Sequence, residues 1–223
     1  MTDVGVHGWL LRHRPQGNTS LVVELFTLEA GRIDLLAKGG RKNPLLQPFR
    51  PLWLNWAGRG NLPALRQLEA AGSSLSLAGM ALWCGFYVNE LLLRLLPRAE
   101  SAPLLFGSYG ATLEVLHSGA EPQRQLRQFE LQLLAECGYA VSLDEDIQGA
   151  PLVADACYRL GSAGLERCQQ GWAGNDLLGF AGGEWNAGIA RTSRDLLREA
   201  LARQLGPAPL KSRELLRQMH QLS

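Results

Sequence analysis

The first 70 residues restrict the fold of this sequence most, because they contain short apolar segments separated by turn formers and no pattern of helix length. Pro15–Asn18 is one such cluster of turn formers. In the segment that follows, Leu21, Val23 and Leu25 fall on one face, with Ser20 and Glu24 on the other, which predicts a strand with one buried face. Strands are expected at Val6–His13, Thr19–Thr27, Arg32–Lys38, Pro51–Trp56 and Leu62–Glu69. Five short strands in about 70 residues predict a small barrel or sandwich, and strand count alone does not separate an OB-fold from an SH3-like barrel.

After Gly72 the pattern becomes helical. Gly79–Leu96 is apolar nearly all round, which is typical of a central core helix, and it stops before Pro97. Further helices are expected at Pro103–Leu116, Pro122–Cys137, Asn186–Leu205 and, with Ser212 as N-cap, Ser212–Leu222. Tyr139–Asp155 is expected to be irregular, and the glycine-rich Cys157–Leu178 to be a short hairpin or an irregular lobe.

The two patterns together predict an α+β multidomain protein. A five-stranded barrel domain is expected over residues 1–75, since period and composition both change between Ala71 and Ala78. A helical domain is expected over residues 76–223, with a small irregular C-terminal lobe around residues 140–188.

Neither a catalytic site nor a metal site is predicted. Zinc sites need two close ligand pairs, and the sequence contains no CxxC pair among Cys84, Cys137, Cys157 and Cys168. The four histidines are isolated, and neither a GxSxG turn nor a Walker-type loop occurs. We therefore expect a protein that is not an enzyme and that holds no cofactor and no metal.

A membrane location is not expected either. The most apolar stretch, Ala81–Leu96, is interrupted by Asn89, Glu90 and Arg94, and it is shorter than the roughly 20 residues that a bilayer span requires. No basic segment followed by an apolar run opens the sequence, so we expect no secretory signal. The expected location is the cytoplasm.

Charge is distributed unevenly along the chain. Residues 1–79 contain 9 Lys and Arg against 5 Asp and Glu, residues 80–188 contain 6 against 13, and residues 189–223 contain 7 against 3. Basic ends around an acidic middle suggest a polyanion-binding surface built from the two ends. Ordinary scatter of charges is the alternative interpretation.

Several motifs recur in one order along the chain: Gly17–Leu21, Phe26–Arg32, Ala37–Gly39 followed by Arg41-Lys42, Leu46–Phe49, Gly58–Gly60, Tyr87–Leu92, Arg127–Leu131 and Pro209–Leu215. In these motifs the sequence resembles the RecO family of recombination mediators over nearly its whole length. The resemblance implies an N-terminal OB-fold, a helical domain and a small C-terminal lobe. It also implies a nucleoid-associated protein that binds and anneals DNA and that works with RecR to help RecA replace single-strand-binding protein (SSB). Some relatives hold zinc in the C-terminal lobe, but Cys157 and Cys168 lack the paired cysteines for it.

Binding of single-stranded nucleic acid requires cations for the phosphates. The barrel segment offers Arg12, Arg14, Arg32, Lys38, Arg41, Lys42, Arg50 and Arg59. Lys38, Arg41 and Lys42 flank two glycines in a segment expected to be a flexible loop, and the resemblance favours these three as DNA contacts. Arg14, Arg32 and Arg59 are further candidates. A solvated surface is the alternative for all of them.

A second basic surface is expected near the C-terminus. Arg191, Arg194 and Arg198 recur at i, i+3 and i+7, which places them on one helix face. Lys211 and Arg213 add positive charge. A second DNA contact here would help to hold two strands together, whereas a solvated helix face is the alternative.

The resemblance also implies that the helical domain binds the acidic, Phe-ending tail of SSB. Such a peptide requires a hydrophobic pocket rimmed by arginine. Arg124 and Arg127 are the candidate arginines, and Leu131 is expected to line the pocket. The alternative for Arg127 is an internal bridge to an acid such as Glu90 or Glu130.

The expected function is that of a mediator in DNA repair whose partners are single- and double-stranded DNA, the SSB tail, RecR and, indirectly, RecA. One alternative is an OB-fold RNA-binding or translation-associated module. Another is an adaptor that binds proteins only.

Overall fold

The computed structural model describes residues 5–58, 60 and 62–215. The strands are β1 (Val6–Gln16), β2 (Ser20–Thr27), β3 (Gly31–Ala37), β4 (Pro51–Ala57), β5 (Ala64–Ala70), β6 (Cys157–Leu160), β7 (Leu165–Cys168) and β8 (Trp172–Ala173). The α-helices are α1 (Gly79–Leu95), α2 (Pro103–Ser118), α3 (Gln123–Glu136), α4 (Gly174–Ala181) and α5 (Ala187–Leu205). Residues 40–42 form a 3₁₀ turn, and residues 211–215 are also helical.

The first five strands form a closed barrel in the order β1-β2-β3-β5-β4. All its pairings are antiparallel except the one between β3 and β5, where Leu36 lies opposite Ala64 in a parallel pair. A five-stranded barrel of this kind is an OB-fold, so the structure confirms the predicted barrel and decides against the SH3-like alternative. Inward-facing side chains such as Leu10, Val23 and Leu35 are fully buried in its core.

The first strand is longer than expected. It was predicted to end at His13, but β1 continues through Pro15 to Gln16 and pairs with β2 over that length. The first described turn therefore begins at Gly17, whose φ of 61° suits glycine.

Strand β2 is buried on both faces, although the sequence predicted one buried face. Phe26 is fully buried beneath α2, where its ring contacts Phe106 at 5.3 Å and Tyr109 at 6.1 Å between centroids. Glu24, expected on a polar face, is only 2% exposed. The face of β2 that was predicted to be exposed is therefore buried in the folded protein.

Helix α1 is fixed to the barrel by a buried polar chain. The Asn89 amide donates to the Leu11 carbonyl at 3.1 Å, and Tyr109 of α2 donates its hydroxyl to Asn89 Oδ1 at 2.6 Å. Burial raises the pKa of Tyr109, so the hydroxyl stays a donor. Helix α1 is apolar nearly all round, as predicted, but it is not buried at one side, where Met80 and Phe86 are 51% and 37% exposed.

The segment after Pro209 packs on α1. Glu90 accepts hydrogen bonds from the backbone N–H of Lys211 and from both the N–H and the hydroxyl of Ser212, at 2.7–2.9 Å. Ser212 was predicted to be an N-cap. It lies instead inside the helical turn, and its hydroxyl bonds Glu90 rather than the turn's own backbone. The rest of the predicted helix, residues 216–222, lies outside the described residues.

Residues 121–208 contain α3, α4, α5 and the small sheet β7-β6-β8. Asn186 caps α5 by accepting from the Ile189 N–H at 3.0 Å. Helix α4 was missed by the sequence analysis because its glycines were read as loop formers. Gly179 is a packing residue, since a Cβ there would lie 2.8 Å from Ile189 Cδ1. Close approach of α4 to α5 therefore explains this glycine.

Compactness divides the chain into one unit of residues 1–120 with 209–223 and another of residues 121–208. The expected boundary near residues 71–78 was based on periodicity, and it remains a prediction about which segment folds by itself. Among the described residues, no helix combines the length and the apolar character needed to cross a bilayer.

Candidate nucleic-acid interface

The predicted flexible basic loop is an anchored 3₁₀ turn. Gly39 precedes it in the left-handed conformation, with φ 67°. Arg41 holds the turn against the connection between β1 and β2, because its backbone N–H donates to the Thr19 carbonyl at 3.2 Å and its guanidinium to the Gly17 carbonyl at 2.9 Å. Lys38, Arg41 and Lys42 are all exposed. The fold thus presents three cations on a fixed turn rather than on a mobile loop.

A cavity of about 420 Å³ opens beside this turn. Arg41 and Lys42 line it together with His13 of β1, and Leu21 and Leu46 contribute apolar surface. We call it the turn cavity. Its combination of basic and apolar lining suits a nucleotide, which carries both a phosphate and a base.

Arg32 has a structural role besides the one predicted. Its side chain is 11% exposed, and its guanidinium donates to the carbonyls of Leu93 and Leu96 at 2.9 Å each. The Leu93 carbonyl lies in the last turn of α1 and the Leu96 carbonyl directly after it, where backbone carbonyls lack a helical N–H partner. Burial, followed by the nearby Arg98, lowers the pKa of Arg32. Arg32 therefore bonds the end of α1 and has little exposed surface, and its contact with DNA stays a prediction.

Arg98 is a candidate that the sequence analysis missed. It follows α1, is about half exposed, and pairs with Asp34 at 2.6 Å. The hydrogen bond that Arg98 donates to Asp34 is the main reason that the pKa of Arg98 is raised. Arg98 lines a cavity of about 800 Å³ together with Arg14 and Trp56 of the barrel. Nothing in its spacing separates it from an ordinary surface arginine, because only the folded chain brings it to the barrel.

Glu24 lies at the centre of a group of arginines. Arg12 pairs with it at 2.5 Å, and Arg32 and Arg98 lie 3.9 and 3.8 Å away. A buried carboxylate is stable only when it is compensated in this way. Arg12 and Arg98 remain more than half exposed, so their outer N–H groups face solvent.

The remaining basic candidates are distributed over both units. Arg191, Arg194 and Arg198 are exposed on α5, as predicted, and Arg194 pairs with the neighbouring Asp195 at 3.1 Å. Arg213 lies over the Tyr87 ring at 5.1 Å and donates to its hydroxyl, so it helps to fix the C-terminal segment. Arg59 lies outside the described residues.

The arginines proposed for the SSB tail are engaged inside the second unit. Arg127 pairs with the fully buried Glu130 at 2.6 Å and is 13% exposed, which is the internal bridge that the sequence left open. Arg124 donates to the Gly183 carbonyl at 2.6 Å. Leu131 is partly buried. The expectation of a free arginine rim therefore does not hold for Arg127.

Cys157 and Cys168 lie opposite each other in the β6–β7 hairpin. Each is partly buried and neither forms a disulfide. In the described part of the chain, no group of three or more His, Cys, Asp or Glu is arranged to hold a metal ion.

Docking of the C-terminal segment is expected to depend on pH through Glu90. Burial acts to raise the pKa of Glu90, but hydrogen bonds from Ser212 and Lys211, together with Arg94, lower it below its ordinary value of 4.5. The charged carboxylate therefore stabilises the folded state above about pH 4.5, and this stabilisation disappears as the pH falls through the lower folded pKa. In urea unfolding, wild type should have a higher free energy of unfolding than Glu90→Gln at pH 7, and this difference should disappear in acid. A difference that does not change with pH would contradict this assignment.

An OB-fold with exposed cations on an anchored turn is typical of proteins that bind nucleic acids. The family model "Recombination protein O N terminal" matches residues 1–74, and "Recombination protein O C terminal" matches residues 78–214. The chain is 42% identical over 215 residues to the DNA repair protein RecO of Pseudomonas paraeruginosa, covering 93% of this chain and 92% of that protein. It is 40% identical over 222 residues to the DNA repair protein RecO of Methylococcus capsulatus, covering 95% and 92%. This chain belongs to the RecO family of DNA repair and recombination proteins.

Proposed function

We propose that this protein is a recombination mediator that binds single- and double-stranded DNA and anneals complementary strands. The single observation that supports this best is the anchored 3₁₀ turn, which holds Arg41 and Lys42 at a cavity on an OB-fold, with the exposed Lys38 just before it. Fixed cations neutralise phosphates without first paying the entropy of ordering a loop. The turn therefore holds a strand by its backbone and is insensitive to its sequence.

Annealing needs no covalent step. Two strands repel each other through their phosphates, and a protein that neutralises part of this charge while leaving base edges free accelerates their pairing. The exposed arginines of α5 (Arg191, Arg194 and Arg198) supply a second basic surface for the other strand. In this proposal the protein acts by binding DNA and is not an enzyme.

We extend the proposal to protein partners on the basis of family membership. The mediator binds the acidic tail of SSB through α3, where Leu131 and Arg124 remain the candidate contacts and Arg127 supports the site from within. RecR is its partner in helping RecA to replace SSB on DNA.

Strand annealing is the experiment that tests this function. Two complementary oligonucleotides with a donor and an acceptor dye are mixed with and without the protein, and pairing is followed by energy transfer. We expect faster pairing with the protein than without it, a rate that falls as salt rises, and activity on SSB-coated strands. Equal rates with and without protein would contradict a mediator.

Competition separates the alternatives. An RNA-binding module would release labelled DNA to an RNA competitor of the same sequence at much lower concentration than to DNA. A protein-only adaptor would bind an SSB-tail peptide and show no salt-dependent affinity for DNA. Either result would replace the proposed function.

A further inference from the structure

Two cavities of the first unit meet at one side chain. His13 lines the turn cavity and also a second cavity of about 420 Å³ between β1 and α1. Arg12, Phe86 and Lys211 lie in the lining of this second cavity, which we call the β1–α1 groove. Basic side chains therefore line two neighbouring cavities that share His13, one at the 3₁₀ turn and one at the C-terminal segment.

Lys211 reaches this groove because its backbone is fixed. Its N–H donates to Glu90 Oε1 at 2.9 Å, and Ser212 bonds the other oxygen of the same carboxylate twice. The side chain of Lys211 is exposed. The negative charge of Glu90 is thus engaged by donors of the C-terminal segment, while the ammonium group of Lys211 faces solvent at the groove.

Phe86 supplies an aromatic surface in the same groove. It is 37% exposed, and its ring packs against Phe49 and Trp83 at centroid distances of 5.4 and 6.4 Å. Packing on one side holds the ring in place and leaves part of it open. A fixed, partly exposed aromatic ring beside cations is the arrangement on which nucleic-acid bases stack.

We propose that a single DNA strand runs from the 3₁₀ turn over His13 into the β1–α1 groove, where Lys211 binds a phosphate and Phe86 stacks on a base. This proposal rests on the proposed function and adds the route that the DNA strand takes. A polyanion fits better than an acidic peptide because basic groups line both of the cavities that share His13, whereas a short peptide tail needs a single pocket.

Two substitutions test the path by different readouts. Binding of a fluorescent oligo(dT) is measured by anisotropy over a salt series, with a strand of about 16 nucleotides, the upper end for one OB-fold, and one of about 5. For the long strand, Lys211→Ala should make the slope of log K against log salt shallower by about 0.7, the value for one phosphate contact. Phe86→Ala should leave that slope unchanged and weaken binding by about fivefold or more, since one stack contributes about 1–3 kcal/mol. The short strand should show smaller effects, because the turn cavity alone can hold it.

Two controls remove one exposed cation and one exposed apolar side chain elsewhere in the first unit. Arg66→Ala removes an exposed cation of β5, and Leu104→Ala removes a side chain of α2 that is 74% exposed, and neither residue lines the two cavities. Both should bind as wild type does. Phe86→Trp should keep the stack and the affinity, which separates loss of stacking from loss of folding. Photocrosslinking of wild type to a strand that carries 5-iodouracil should label the α1 segment.

The outcomes separate the path from the function. If wild type binds with a steep salt dependence but Lys211→Ala and Phe86→Ala bind equally well and α1 is not crosslinked, the path is wrong and the function stands. If wild type shows no salt-dependent binding, the proposed function itself fails. If the two variants keep DNA binding and lose affinity for an acidic peptide that ends in phenylalanine, the groove is a peptide site and the proposed path is overturned.

Discussion

Replacing Lys38, Arg41 and Lys42 together by alanine should weaken binding of single-stranded DNA on the order of a hundredfold at about 50 mM salt. Each cation contributes a phosphate contact, and the turn keeps the backbone bond from Arg41 to Thr19 when the three side chains are removed. The slope of log K against log salt should become shallower by about 2, because three contacts are lost. The loss should be uniform across base sequences, since phosphate contacts carry no sequence information. Anisotropy titrations of homopolymer and mixed-sequence strands measure both quantities.

The matched control has the same change in charge at other exposed positions. Arg66, Arg159 and Arg167 are exposed and lie away from the 3₁₀ turn in the chain, so their triple alanine variant should keep most of the affinity. Circular dichroism of both variants checks that the barrel is intact. Similar affinities for the two triple variants would mean that only net charge matters, and the turn would lose its assigned role.

Arg127→Ala should destabilise the second unit by about 3 kcal/mol or more. The reason is that Glu130 is fully buried and its pair with Arg127 is 2.6 Å long, and removal of one partner leaves a buried charge poorly compensated. The double variant Arg127→Met/Glu130→Gln should recover much of the loss, because it removes both charges and keeps comparable volumes. Urea unfolding of wild type, both variants and Glu130→Gln supplies the full double-mutant cycle.

This prediction also determines how a role of α3 in SSB binding must be tested. Loss of tail-peptide affinity in Arg127→Ala would be uninformative if the unit is partly unfolded. Arg124→Ala is the better probe, since Arg124 is exposed and bonds only the Gly183 carbonyl among its described contacts. If Arg127→Ala were as stable as wild type, the pair between Arg127 and Glu130 would not contribute to the stability of the second unit, and the prediction would be wrong.

The barrel was predictable because apolar and polar residues alternate one by one along its strands. Leu21, Val23 and Leu25 identify β2 and its inner face without any knowledge of the rest of the chain. Burial of Glu24 was not predictable, because its partners come from β1, β3 and the segment after α1. Local pattern specifies the strand, whereas its outer environment depends on contacts between residues far apart in the sequence.

The site was predictable to the extent that charge and turn chemistry are local. Lys38 and Lys42 are exposed at a glycine turn, as their sequence context indicates. Arg32 could not be assigned in the same way, since its partners Leu93 and Leu96 lie 61 and 64 residues further along the chain. The pair of Arg127 with Glu130 is local at i, i+3, so the sequence contained it as an alternative. Lys211 lies near the barrel because the C-terminal segment bonds Glu90, which is 121 residues before it in the chain.

Binding of wild type to a labelled single strand across a salt series tests the central claim most directly. The claim is that the OB-fold holds DNA by its phosphates. We expect tight binding at about 50 mM salt that falls linearly in a log–log plot, with a similar slope for strands of different base composition. Absence of binding at low salt, or an affinity that depends on base sequence and not on salt, would contradict the claim and leave the barrel without its proposed ligand.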